Sequence, residues 1–216
     1  MEQSNATPGS PDMRTPPPII WAAAALMLLA SCGDKPPAAT GGIPNTTAGA
    51  ESATMSPQEQ LVIIDRAVAA WRRADSIEAA HLAAETAANL VVGPNGPEYG
   101  DRNGDGVISG QSPAGLLPGL DGTPVGLAVP SAANDCVARD VLGGSWTDPA
   151  AEWEAMLSAI QGWRTDNNTM PSLASHPMRI VGWATFTLRS GSLEEAHEYA
   201  GHAQLHVDIA QRAFDC

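Results

Sequence analysis

In the stretch DRNGDGVISGQS, Asp101 to Ser112, oxygen-bearing side chains alternate as Asp101, Asn103 and Asp105, and Gly106 follows at once. Short oxygen donors two residues apart can converge on a hard divalent cation only if the chain turns sharply between them, and a glycine permits that turn. In a twelve-residue loop of this kind, oxygens come from the first, third and fifth positions, a backbone carbonyl from the seventh, often a water held by the ninth, and a bidentate carboxylate from the twelfth. Here those positions are Asp101, Asn103, Asp105, the carbonyl of Val107, Ser109 and Ser112, with Ile108 placed to anchor the loop to the core. Ser112 stands where the closing carboxylate belongs. Losing that group removes two of about seven oxygens and one negative charge, which moves the affinity expected for calcium toward about 10⁻⁴ to 10⁻³ M. Glu98 and Asp121 are near enough in sequence to substitute.

The Asp-x-Asn-x-Asp-Gly-x-Ile core resembles the calcium loops of dockerin modules and EF-hands over these twelve residues. The resemblance implies a calcium site and goes no further. There is no second copy, Pro113 and Gly115 discourage an exiting helix, and the dockerin recognition residues have no counterpart, so cohesin binding does not carry over. The wider order of a His-bearing helix, an Asn near its end and GPNGPEYGDRNGDG is similar to a pattern in exported bacterial helical proteins, which implies the fold and the loop but no activity. With no helix pair to open, such a loop is expected to act as a clip and not as a sensor.

Histidines offer a rival chemistry. His197, His202 and His206 fall within HEYAGHAQLH, His202 and His206 are four apart, and His81 with Glu85 repeats that spacing elsewhere. Residues four apart share a helical face and can bind a transition metal, and helical bundles also hold haem in this way. In the helical register, however, His197 and His206 flank the apolar seam, His81 occupies the same flanking position, and His202 lies on the outer face. Nucleophilic chemistry finds less: there is no Gly-x-Ser-x-Gly, no Cys-x-x-Cys and no phosphate-binding glycine motif before a helix.

The elements that must position these groups read as helices. Ser56-Pro57-Gln58-Glu59 forms a capping box with Pro at the first helical position, and Leu61, Ile64, Val68 and Trp71 continue as one stripe to about Arg73. A second helix is expected from Ile77 to Val92, stopped by Gly93, and a third from Asp148-Pro149 through Trp153, Met156, Leu157, Ile160 and Trp163. A fourth spans about Pro177 to Leu188, and a fifth runs from Leu193 to about Phe214 on a three-four spacing.

Two of these helices begin alike. RADSIEAAHLAA from Arg73 aligns without a gap to RSGSLEEAHEYA from Arg189, at a constant offset of 116 residues. The chain is therefore expected to be mainly α, an antiparallel four-helix-type bundle of two related hairpins plus one extra helix, over residues 56–216. A Gly/Pro-rich connector of about 93–135, carrying the calcium loop, joins the hairpins. A connector of that length needs something besides secondary structure to hold it, and a metal ion is the obvious candidate.

The beginning of the chain suggests where this bundle works. Ile19 to Ala30 is a twelve-residue apolar run, too short for a permanent membrane span, and it ends in Leu29-Ala30-Ser31-Cys32. That ending resembles the lipobox of bacterial lipoproteins, which implies a signal peptide over 1–31, lipidation of Cys32 and attachment to a bacterial membrane, on its periplasmic face or at the cell surface. Residues before the run carry Glu2, Asp12 and only Arg14, so Met13 would give the expected basic start. From Cys32 to residue 55 the chain is Pro/Gly/Ala/Thr-rich, the composition of a disordered tether. Beyond residue 31 there are 10 basic against 22 acidic residues, which argues against nucleic acid as a partner and leaves the acyl chains to hold the membrane. Cys136 and Cys216 remain for a disulfide, whose loop of about 80 residues would stabilise the fold by a few kcal/mol. The sequence thus reads as an exported, lipid-anchored, calcium-binding helical protein that acts as a binding or interaction module for an unidentified protein or small molecule. The alternative is a transition-metal or haem-binding bundle.

Overall fold

The computed structural model describes residues 55–121, 134–164 and 173–216. The expected signal peptide, Cys32 and the tether lie outside those residues, as does the end of the connector, 122–133. Among the described residues the protein is mainly α-helical and contains no strand.

Helix starts follow from capping chemistry. Helix α1, Pro57–Arg72, opens with the Ser56 hydroxyl accepting the Glu59 N–H at 3.2 Å while the Glu59 carboxylate accepts the Ser56 N–H at 2.8 Å. Ser76 caps α2, Ile77–Val92, and Gly93 ends it in the left-handed region at φ 69°. Asp148 caps α3, Pro149–Gly162; Ser175 caps α4, His176–Arg189; Ser192 caps α5, Leu193–Arg212. One element was not expected: Val137–Leu142 forms a π-helical segment, too short for hydrophobic periodicity to reveal.

Helix α1 packs on α2 and α5, and α4 packs on the same two, which closes a ring of four helices. The small residues of α2 (Ala80, Ala84, Ala87, Ala88) and α5 (Ala196, Ala200, Ala203, Ala210) are buried and let the backbones approach. Trp71, Ile64, Met178, Ile180 and Trp183 fill the remaining space. Helix α3 sits over the connector: Trp153 is buried and its Nε1–H donates to the Pro118 carbonyl at 2.9 Å. At the end of α3, the Trp163 ring meets Trp183 and Phe186, with centroids 5.3 and 4.0 Å apart.

Cys136 and Cys216 form the expected disulfide, with Cα atoms 6.2 Å apart, joining the π-helical segment to the end of the chain. The two similar segments also behave alike: each places a Ser N-cap and a helix after a short turn, at Ser76 and at Ser192.

Candidate functional site

Helix α2 is apolar along most of its buried face, yet Glu85 and Asn89, one turn apart, are completely buried in it. Buried polar groups are costly unless hydrogen-bonded, and the connector supplies their partners. Glu85 Oε2 accepts the backbone N–H of Arg102 and of Asn103, both at 2.8 Å, and Oε1 accepts that of Ser109 at 2.8 Å. Asn89 Nδ2 donates to the carbonyls of Gly100 and Ser109 at 2.9 and 2.7 Å, and its Oδ1 accepts the Gly100 N–H at 3.2 Å. These two side chains do for the loop what a strand ladder would have done. Gln60 of α1 adds bonds to the Leu90 and Ala114 carbonyls at 2.7 and 2.9 Å, and the Leu116 and Leu117 N–H groups reach the Leu90 and Val91 carbonyls at 3.1 Å. Gly110, at φ 74°, lies so close to α2 that a β-carbon there would collide with the Thr86 carbonyl oxygen.

On this base the outer half of the loop winds around Asp101. Its Oδ1 accepts the N–H groups of Gly104 and Asp105 at 2.8 and 3.2 Å, and its Oδ2 accepts that of Gly106 at 2.8 Å. Asn103 Oδ1 accepts the Asp105 N–H at 2.9 Å, and Asp105 Oδ1 accepts the Val107 N–H at 2.8 Å. All three alternate side chains therefore bend back onto the same short turn. Val107 is exposed and Ser112 is half-buried.

Two expectations about the loop need correction. Ile108 does not enter the core but is 38% exposed; the loop is anchored through polar Glu85 and Asn89 instead. Nor are Glu98 and Asp121 gathered with Asp101 and Asp105. Glu98 Oε2 lies 4.0 Å from Arg102 Nη2, and Asp121 Oδ2 accepts from Asn95 Nδ2 at 3.2 Å, past the end of α2. Among the described residues no three His, Cys, Asp or Glu side chains form a group that could hold a metal ion. A cation at the loop would rest on two carboxylates, Asp101 and Asp105, with amide and carbonyl oxygens completing the set. Oxygen donors of this kind suit calcium better than a softer metal.

The five histidines do not converge. His81 Nε2 lies 3.0 Å from the Ser190 carbonyl oxygen, and His197 Nε2 lies 2.8 Å from that of Ala74. Each also stands three residues after a glutamate, Glu78 or Glu194, but the imidazoles are committed to turns and not to a shared centre. Glu85, expected to join His81, is turned to the loop. His202 does not point outward: it stacks on Trp183 with centroids 4.4 Å apart and an interplanar angle of 17°. His206 does not flank the seam but is buried at 7% exposure, its Nδ1 2.9 Å from Nδ1 of His176. One of those nitrogens carries the proton that the other accepts, so the bond cannot form once both rings are protonated. Burial, reinforced by His176 and Arg179, pushes the His206 pKa down to about 3, and burial followed by Arg179 lowers that of His176. His176 was missed because, between Ser175 and Pro177, it reads as part of a helix cap.

Set against protein-family models, curated proteins and solved structures, the chain matches none of them.

Proposed function

We propose that this is an exported, lipid-anchored helical protein whose inter-hairpin loop takes up one calcium ion as a structural clip, and whose role is binding or interaction. The observation that carries the calcium reading is the winding of three backbone N–H groups onto both carboxylate oxygens of Asp101, with Asn103 and Asp105 folded onto the same turn. Asp101, Asn103 and Asp105 would hold the ion through side-chain oxygens and Val107 through its carbonyl. The ion would supply positive charge to a loop whose acidic groups otherwise repel one another. Because Glu85 and Asn89 already fix the inner half, the loop needs no helix movement to form. Export and lipidation rest on the apolar run before Cys32.

The direct test is calorimetry and thermal unfolding of the full chain with calcium and with a chelator. Calcium should bind with a Kd of about 10⁻⁴ to 10⁻³ M and raise the melting temperature, and Asp101→Ala with Asp105→Ala should remove both effects. A chain that shows no binding heat and melts identically in calcium and chelator would refute the clip.

A further inference from the structure

Arg102 emerges from the loop next to Glu85's carboxylate and crosses toward α4, where its Nη2 donates to the Thr185 hydroxyl at 2.8 Å. Its side chain is only 10% exposed, and Nη1 is buried with no hydrogen-bond partner. A guanidinium pinned at one corner and unsatisfied at another has donor capacity that the fold does not use. Arg102 lines an open cleft of about 450 Å³ between the connector and the C-terminal end of α4, together with Glu98, Tyr99, Asp101, Thr185, Leu188 and Arg189. Glu98 is the one non-glycine residue with positive φ among the described residues, at 66°. Its carboxylate stands 4.0 Å from Arg102, beyond hydrogen-bond distance. Backbone strain of this kind persists where the surroundings hold a side chain in place, and it clusters at ligand sites.

The cleft thus offers two guanidinium groups and two carboxylates beside the apolar side chain of Leu188, and since both oxygens of Asp101 already accept loop N–H groups, Glu98 is the carboxylate left for a ligand. A simple anion would meet repulsion from Glu98 and from a chain of net charge −13, and a simple cation would meet Arg102 and Arg189. A ligand with both charges and no net charge meets neither objection. We propose that this cleft binds a small zwitterion of the α-amino acid class, with its carboxylate on Arg102 and Arg189, its ammonium on Glu98 and its side chain along Leu188 and Tyr99. A planar carboxylate matches the guanidinium fork. This inference rests on the reading of the protein as a binding module and gives that module a ligand; Asp101 borders both the cleft and the calcium loop, so binding is measured with and without calcium.

Amide NMR titration of the full chain with L-leucine, L-glutamate and glycine, and separately with acetate and methylammonium, tests it. At least one amino acid should give saturable shifts at residues 98–102 and 185–189, at least tenfold tighter than acetate or methylammonium. Arg102→Met should abolish the shifts. Arg189→Gln and Glu98→Gln, both at exposed positions, should keep the fold and weaken binding at least fivefold. The proposal is overturned if no amino acid gives saturable shifts, if acetate alone binds equally well, or if binding survives Arg189→Gln and Glu98→Gln unchanged. Titrations repeated in chelator separate the two ideas: failure here with calcium binding intact removes only this ligand, and the converse removes only the clip.

Discussion

His81 and His197 occupy equivalent places on α2 and α5, and each hydrogen-bonds through Nε2 to the turn of the opposite hairpin, His81 to the Ser190 carbonyl and His197 to that of Ala74. The two donors are 116 residues apart and so are the two acceptors. The same offset relates a second pair of contacts: Gln60 reaches the Leu90 carbonyl, and His176 reaches His206. Capping alone could not produce contacts that correspond across the bundle, so the two hairpins are related in three dimensions as well as in sequence.

The reciprocal bonds should contribute similarly to stability. His81→Ala and His197→Ala are each expected to lower the unfolding free energy by about 0.5–1.5 kcal/mol, the net worth of one such bond. Urea unfolding of both variants would check this, and a loss confined to one of them would deny the equivalence.

Glu85→Ala should be far more damaging. It removes the acceptor for three backbone N–H groups and leaves a void beneath the loop, so a loss of about 2–4 kcal/mol is expected. Hydrogen exchange should speed up first at Arg102, Asn103 and Ser109; unchanged exchange there would mean that the carboxylate is not what holds the loop.

Acid should weaken the fold through the His176–His206 pair. Both pKa values are depressed in the folded protein, so below about 6.5 the unfolded chain binds protons that the folded one refuses, and stability falls as pH falls. At pH 5 the His206 contribution alone amounts to about 2 kcal/mol. Unfolding measured from pH 7 to pH 5 should show that slope, and His206→Asn should flatten it.

The helices were legible in the sequence because their starts are written in side chains: Ser56, Ser76, Asp148 and Ser192 each cap the helix expected of them. Core tryptophans were legible for the same reason, with Trp71 and Trp153 on apolar stripes and buried. The cradle was not, since Glu85 and Asn89 look like ordinary polar residues until the connector's backbone is laid on them. Their signal was present all the same, as two polar side chains one turn apart inside AAETAANLVV. Register reasoning failed for His202 and His206 because it scores a helix against one seam, whereas α5 touches both α1 and α4, so more of its circumference is covered. Ile108 went astray because the loop is held to α2 by hydrogen bonds to Glu85 and Asn89, which leaves no apolar anchor to be filled.

The correspondence between Gln60–Leu90 and His176–His206 has a consequence for how the molecule comes apart. The two hairpins use matching positions for different chemistry, an amide that does not titrate in one and a pair of imidazoles in the other. Mild acid therefore loads the histidine penalty onto the second hairpin. Opening should begin in α4 and α5, whose amides are expected to exchange before those of α1 and α2.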